Sequence, residues 1–166
     1  MKRRRWIGYL AASAAVSATA IAGSVAVDPQ SDWYRRLDKP DWQPPGAAFG
    51  PVWTALYASI AWSGGRSLAR AEGPDRRRYG SALTANLALN AGWNWLFFGA
   101  RNPVAGLAGI AALNVSNLAL IRQTRRIDRP AAAALIPYTL WTGFATALNA
   151  DIVRRNSGRD EHGDPT

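Results

Sequence analysis

The run WIGYLAASAAVSATAIAGSVAV, residues 6–27, passes 22 positions without a charged side chain. At about 1.5 Å of rise per residue, a helix of that length crosses a hydrocarbon core of roughly 30 Å. Four more charge-free runs follow, at 43–65, 79–100, 102–121 and 130–150, and together the five fill nearly all of the 166 residues. This pattern predicts an all-α membrane protein, a bundle of five transmembrane helices at about 6–27, 46–66, 79–100, 103–121 and 130–153 within one domain spanning 1–155. Residues 156–166, which hold the single histidine, His162, read as a disordered tail.

The mean hydropathy is slightly negative and only 48% of residues are hydrophobic, because the runs use Ala, Gly, Ser, Thr, Asn and Trp in place of Leu and Ile. Small residues of this kind suit close helix packing in lipid. A soluble helical bundle would instead show charged outer faces at helical spacing. The first run also resembles a signal peptide, with Lys2 and Arg3 to Arg5 ahead of it and Ala18-Thr19-Ala20 as a cleavage-like triplet, but its apolar stretch is long and four more runs follow.

The connections are short. Gly73-Pro74 marks a turn, and Arg101-Asn102-Pro103 makes a hairpin tight enough to force its two helices antiparallel. A net charge of +9 does not point to nucleic acid, since the cations flank the runs. Thirteen Lys and Arg fall on the side of the N-terminus and seven on the other, which predicts a cytoplasmic N-terminus in a bacterial cell membrane, with anionic headgroups as partners of the charges.

Polar and aromatic residues inside the runs carry the chemistry. Asn86, Asn90 and Asn94 recur every four residues, so three amides share one helix face. Each unpaired amide costs roughly 2–7 kcal/mol in an apolar medium, so that face must meet protein or a cavity. Trp93 and Phe97 continue it, while Trp53, Tyr57, Ile60 and Gly64 form a face on the second helix and Tyr138, Trp141, Ala145 and Asn149 one on the fifth. The plain reading makes tryptophans interfacial markers and asparagines helix glue, and it suits Trp6, Trp33 and Trp42 near the boundaries. Trp53, Trp93 and Trp141, grouped with Tyr57 and Tyr138, fit a pocket that stacks a flat aromatic ligand and fixes it with a few polar groups.

No Asp, Glu, His or Cys lies inside the runs. Conventional acid–base or nucleophilic catalysis is therefore not expected, nor is an ion path through mid-membrane ionisable groups. A metal site is not expected either. A haem-ligating protein is not expected, since the runs offer no axial His, Cys or Met.

The segment from Trp33 to Pro45, WYRRLDKPDWQPP, resembles the W-Y-x-x-L-x-K-P-x-W-x-P-P signature of the tryptophan-rich sensory protein family, TspO/MBR, which includes the mitochondrial translocator protein, or peripheral benzodiazepine receptor. Phe49 to Tyr57, Asn90-Ala91-Gly92-Trp93 with Phe97-Phe98, and Pro137-Tyr138 with Trp141, Ala145, Leu148 and Asn149 match in the same order. The resemblance implies a five-helix bundle, a homodimer, and binding of porphyrins such as protoporphyrin IX, with no covalent or metal cofactor. It also implies a role as sensor or regulator of porphyrin metabolism or as a carrier. It carries the ligand-binding role to Trp42, Trp53, Tyr57, Asn90, Trp93, Tyr138 and Trp141, and a lid role to Trp33, Lys39, Pro40, Pro44 and Pro45. Light-driven porphyrin breakdown with Trp53 and Trp141 as redox partners is one alternative, and a ligand-free structural scaffold is another. Ala150 stands where the animal sterol motif has tyrosine, which argues against sterol binding through it, although Arg77, Tyr79 and Leu83 fit the reversed pattern. Ala47 and Ala48 replace bulkier lid residues and imply a wider pocket mouth.

Overall fold

The computed structural model describes residues 2–157. Helix α1 (Lys2–Ala26) buries a stripe of Gly8, Ala12, Val16, Thr19, Gly23 and Ala26 at steps of three and four. That stripe lies mainly on α3 (Gly46–Arg70) and α4 (Gly73–Asn94). The approach is close because glycines meet backbone. A Cβ on Gly8 would stand 3.0 Å from the Ala69 nitrogen, and one on Gly65 would stand 2.8 Å from Tyr9 Cα. Between α1 and α3 a short helix, α2 (Asp32–Arg36), is capped by the Ser31 hydroxyl, which accepts from the Tyr34 N–H at 3.3 Å.

Helix α4 passes without interruption into a π-helical turn, Trp95–Gly99, closed by the Ala100 N–H on the Trp95 carbonyl at 2.7 Å. The wider turn resets which side chains face inward and buries Phe97. The hairpin after it is as tight as expected. Arg101 adopts φ +52°, a conformation L side chains rarely take, and Asn102 caps α5 (Pro103–Ile127) by accepting from the Ala105 N–H at 2.9 Å. The last segment is two helices, α6 (Arg129–Ala134) and α7 (Ile136–Asn156), parted at Leu135 because Pro137 offers no N–H to continue the ladder.

The helices outrun the charge-free runs: α3 extends from 66 to Arg70, α4 begins at Gly73 in place of 79, α5 continues to Ile127, and the helix expected at 130–153 begins at Arg129 and ends at Asn156. A charged side chain ends a charge-free run without ending a helix. Asn156, expected to open a disordered tail, is the last residue of α7; 158–166, with His162, lie outside the described residues. Among the described residues, three stretches are long and apolar enough to cross a membrane: Arg5–Ala26, Pro103–Ile127 and Arg129–Asn156. Spans of that length and hydropathy mark an integral membrane protein.

One apolar core joins α1, α3, α4, α5 and α7 through Val16, Ile60, Leu83, Leu113 and Tyr138, and a smaller cluster of Phe97, Leu148 and Ile152 sits under α2. At the end of the bundle where α1 begins, Asp128 closes the packing. Its carboxylate accepts from Arg66 Nε at 2.9 Å and pairs with Arg70 at 2.8 Å, and its Oδ1 also caps α6 by accepting from the Ala131 N–H at 2.9 Å. Burial pushes the Asp128 carboxyl up, but the Ala131 N–H and the two guanidiniums outweigh it and hold the group below the ordinary carboxylate range. Because the folded-state value is depressed, the stability it supplies is present at neutral pH and is lost as pH falls through that value. Asp128→Asn keeps the cap and loses the ion pairs. It is expected to cost about 1–2 kcal/mol at pH 7, since both arginines are partly solvated, and the difference from wild type should close in acid thermal melts.

Candidate functional site

Trp53 and Tyr57 sit one turn apart on α3 with ring centroids 5.3 Å apart, and Trp53 meets the Tyr138 ring of α7 edge-on at 6.4 Å. Polar groups tie these rings to α4. The Tyr57 hydroxyl donates to Asn90 Oδ1 at 2.9 Å, Asn90 Nδ2 donates to the Tyr138 hydroxyl at 2.9 Å, and that hydroxyl donates to Asn86 Oδ1 at 3.4 Å. Asn86 Nδ2 continues to Asn117 Oδ1 of α5 at 2.6 Å, and Asn117 Nδ2 to the Thr142 hydroxyl of α7 at 2.9 Å. Thr142 then donates to Asn114 Oδ1 at 2.8 Å, whose amide reaches Thr146 at 2.7 Å. Amides and hydroxyls from α3, α4, α5 and α7 thus form one ladder in which buried polar groups satisfy one another.

Trp93 belongs to a second aromatic group. Its ring lies 6.0 Å from Phe97, which in turn meets Phe98 at 4.8 Å and Trp33 of the lid at 5.7 Å. The Trp93 indole N–H donates to Asn149 Oδ1 at 3.3 Å, and Asn149 Nδ2 donates to the Pro103 carbonyl at 2.8 Å. Trp141 and Trp42 belong to a third group, bridged by Phe144 at 5.3 and 5.7 Å, with Phe49 against Trp141 at 5.8 Å. Trp53, Trp93 and Trp141 all pack, half-buried, on the core that contains Tyr138. Asn90 and Tyr138 are buried, whereas Trp42 is exposed and donates its indole N–H to Asp151 at 3.2 Å.

The lid is anchored at both ends. Lys39 lies over the Tyr34 ring at 4.8 Å and donates to the carbonyls of Tyr34 at 2.7 Å and Leu37 at 2.9 Å, which closes the C-terminus of α2. Partial burial pulls the Lys39 ammonium down, opposed by Asp38, and burial pushes the Tyr34 phenol up against the Gln43 hydrogen bond. Asp38 and Asn156 of α7 exchange two 3.0 Å hydrogen bonds through the Asp38 backbone. Pro40 is buried and Pro44 half-buried, while Pro45 is exposed and precedes α3. The Gln43 amide donates to the Tyr34 hydroxyl at 3.4 Å, and its carbonyl oxygen is buried without a hydrogen-bond partner.

The seven ligand-binding residues expected from sequence therefore divide into three adjoining groups: Trp53, Tyr57, Asn90 and Tyr138; Trp93; and Trp42 with Trp141. Sequence reading missed Phe144, Asp151, Asn156 and the Asn114, Asn117, Thr142 and Thr146 half of the ladder. Asn114 and Asn117 three apart on α5, and Thr142 and Thr146 four apart on α7, were the available signal. Among the described residues no group of His, Cys, Asp and Glu could hold a metal ion.

Residues 10–155 match the TspO/MBR family. The chain is 35% identical over 141 residues to the tryptophan-rich protein TspO of Chlorobaculum tepidum, covering 84% of this chain and 89% of that one. It is 32% identical over 159 residues to the tryptophan-rich sensory protein of Cereibacter sphaeroides, covering 94% and 96%. To the Homo sapiens translocator protein it is 31% identical over 157 residues, covering 92% of each chain.

Proposed function

The chain belongs to the TspO/MBR family, and from that membership we propose that it binds a flat, metal-free tetrapyrrole between α3, α4 and α7, under the α2 lid, as a sensor or regulator of porphyrin metabolism. The supporting observation is the convergence of Trp53, Tyr57, Trp93, Tyr138 and Trp141 on one core next to Asn90, with the Gln43 carbonyl oxygen left unpartnered beneath the lid. Ring faces suit a planar conjugated ligand, and a free acceptor suits a donor at the edge of that ligand, such as a protonated propionic acid. The same reading makes all five long helical segments membrane spans, with the two less apolar ones, α3 and α4, shielding their polar faces inside the bundle. The N-terminus lies on the cytoplasmic side of a bacterial membrane, because the basic residues gather at that end.

Titrating the purified protein with protoporphyrin IX should quench tryptophan fluorescence saturably. Trp53→Phe and Trp141→Phe should each weaken binding about two- to tenfold, the equivalent of one aromatic contact. Absence of quenching, or affinities unchanged in both variants, would remove the assignment.

A further inference from the structure

Away from the aromatic site, a concavity of about 470 Å³ opens at the basic end of the bundle, lined by Arg5, Trp6 and Tyr9 of α1 and Trp62 of α3. Trp6 is 68% exposed and Trp62 41% exposed, a large indole area to leave uncovered. Its height in the membrane is fixed twice. Arg5 is the first residue of the span Arg5–Ala26, and Arg66, one turn from Trp62, is tied to Asp128, which separates the span ending at Ile127 from the one beginning at Arg129. The concavity therefore lies where apolar spans meet the headgroups.

We propose that this concavity is a binding site for a single anionic phospholipid, with Arg5 on the phosphate and Trp6, Tyr9 and Trp62 against the glycerol and the first acyl methylenes. The charges are already divided for it. Arg66 stacks over the Trp62 ring at 5.1 Å and is held by Asp128, so it props the indole and does not bind the phosphate. Arg5 has no carboxylate partner among the described residues and is the cation left for a ligand. A soluble anion would satisfy Arg5 and leave the exposed indoles bare. A zwitterionic lipid would cover the indoles but bring its own cation against Arg5. An anionic phospholipid answers both, with a headgroup for the guanidinium and chains for the rings.

The test uses the full chain in vesicles of phosphatidylcholine doped with brominated-chain phosphatidylglycerol or, separately, brominated-chain phosphatidylcholine, since bromine quenches only indoles it touches. Wild type should be quenched more strongly by the anionic lipid, and Trp6→Phe/Trp62→Phe should lose that excess. Arg5→Gln should cut the preference about fivefold, the worth of one cation at an anionic surface. Arg125→Gln/Arg126→Gln, which removes two exposed cations elsewhere at the same end, should leave it intact. Equal quenching by the two lipids in wild type overturns the proposal, as does a preference that survives Arg5→Gln. An equal loss in the Arg125→Gln/Arg126→Gln variant assigns the preference to the general basic surface, and competition by inorganic phosphate assigns it to a free-anion site; either result also overturns it. All five altered side chains are exposed, so none of the variants threatens the fold.

Discussion

Gly65→Ala is expected to lower the stability of the bundle by about 1–3 kcal/mol, the ordinary cost of forcing an extra methyl into a packed contact. The sign is informative, because an alanine inside a helix is worth about 1 kcal/mol more than a glycine by propensity alone. Here the added Cβ would stand 2.8 Å from Tyr9 Cα. A backbone carbon cannot swing aside like a side-chain tip, so α1 must move off α3 along the whole stripe from Gly8 to Ala26. Gly50→Ala and Gly143→Ala are the controls, since a Cβ at either position meets nothing within 4 Å. Thermal unfolding of the three variants in one detergent, followed by near-ultraviolet circular dichroism, should show Gly65→Ala melting well below wild type and the controls at or above it. If Gly65→Ala melts with the controls, the close α1–α3 crossing is absent in solution.

The same crossing explains what the sequence could and could not disclose. Charge-free runs locate the long helices because a side chain in lipid must be apolar or paired, and that rule acts on every residue of a span. Helix ends follow a weaker rule. Arg66 and Arg70 continue α3 past the end of its charge-free run at Gly65 because a carboxylate 62 residues from Arg66, Asp128, receives them. No local pattern announces such a partner. The break at Leu135 had its signal in Pro137, whereas the π turn at Trp95–Gly99 had none, since its register depends on where Phe97 and Trp33 meet. For the site, spacing correctly required the Asn86–Asn90–Asn94 face to be hidden; all three are buried. Whether protein or ligand covers an amide is a property of the facing helices. Asn86 finds Asn117 and Ser116 on α5, which helical spacing on α4 alone could not name.

Asn90→Ala should be the most damaging change within the aromatic site, costing about 2–3 kcal/mol, because it strips the partner from two tyrosine hydroxyls at once. Tyr57 would lose its acceptor and Tyr138, only 1% exposed, would lose its donor. Tyr57→Phe removes one end of the same bond and leaves no buried hydroxyl behind, so it should cost less, and a double-mutant cycle should return a coupling of about 0.6–1.7 kcal/mol, the range for polar pairs between membrane helices. Function should move in the opposite direction. In the structure Asn90 Oδ1 is engaged by the Tyr57 hydroxyl, and a donor at the edge of the ligand, such as a protonated propionic acid, must first displace it. Tyr57→Phe frees the acceptor, so protoporphyrin affinity should rise while thermal stability falls, whereas Asn90→Ala should lower both. Affinity falling in Tyr57→Phe in step with stability would make the Tyr57–Asn90–Tyr138 ladder a helix clasp alone, and the ligand would have to take its hydrogen bonds from the Gln43 end of the site.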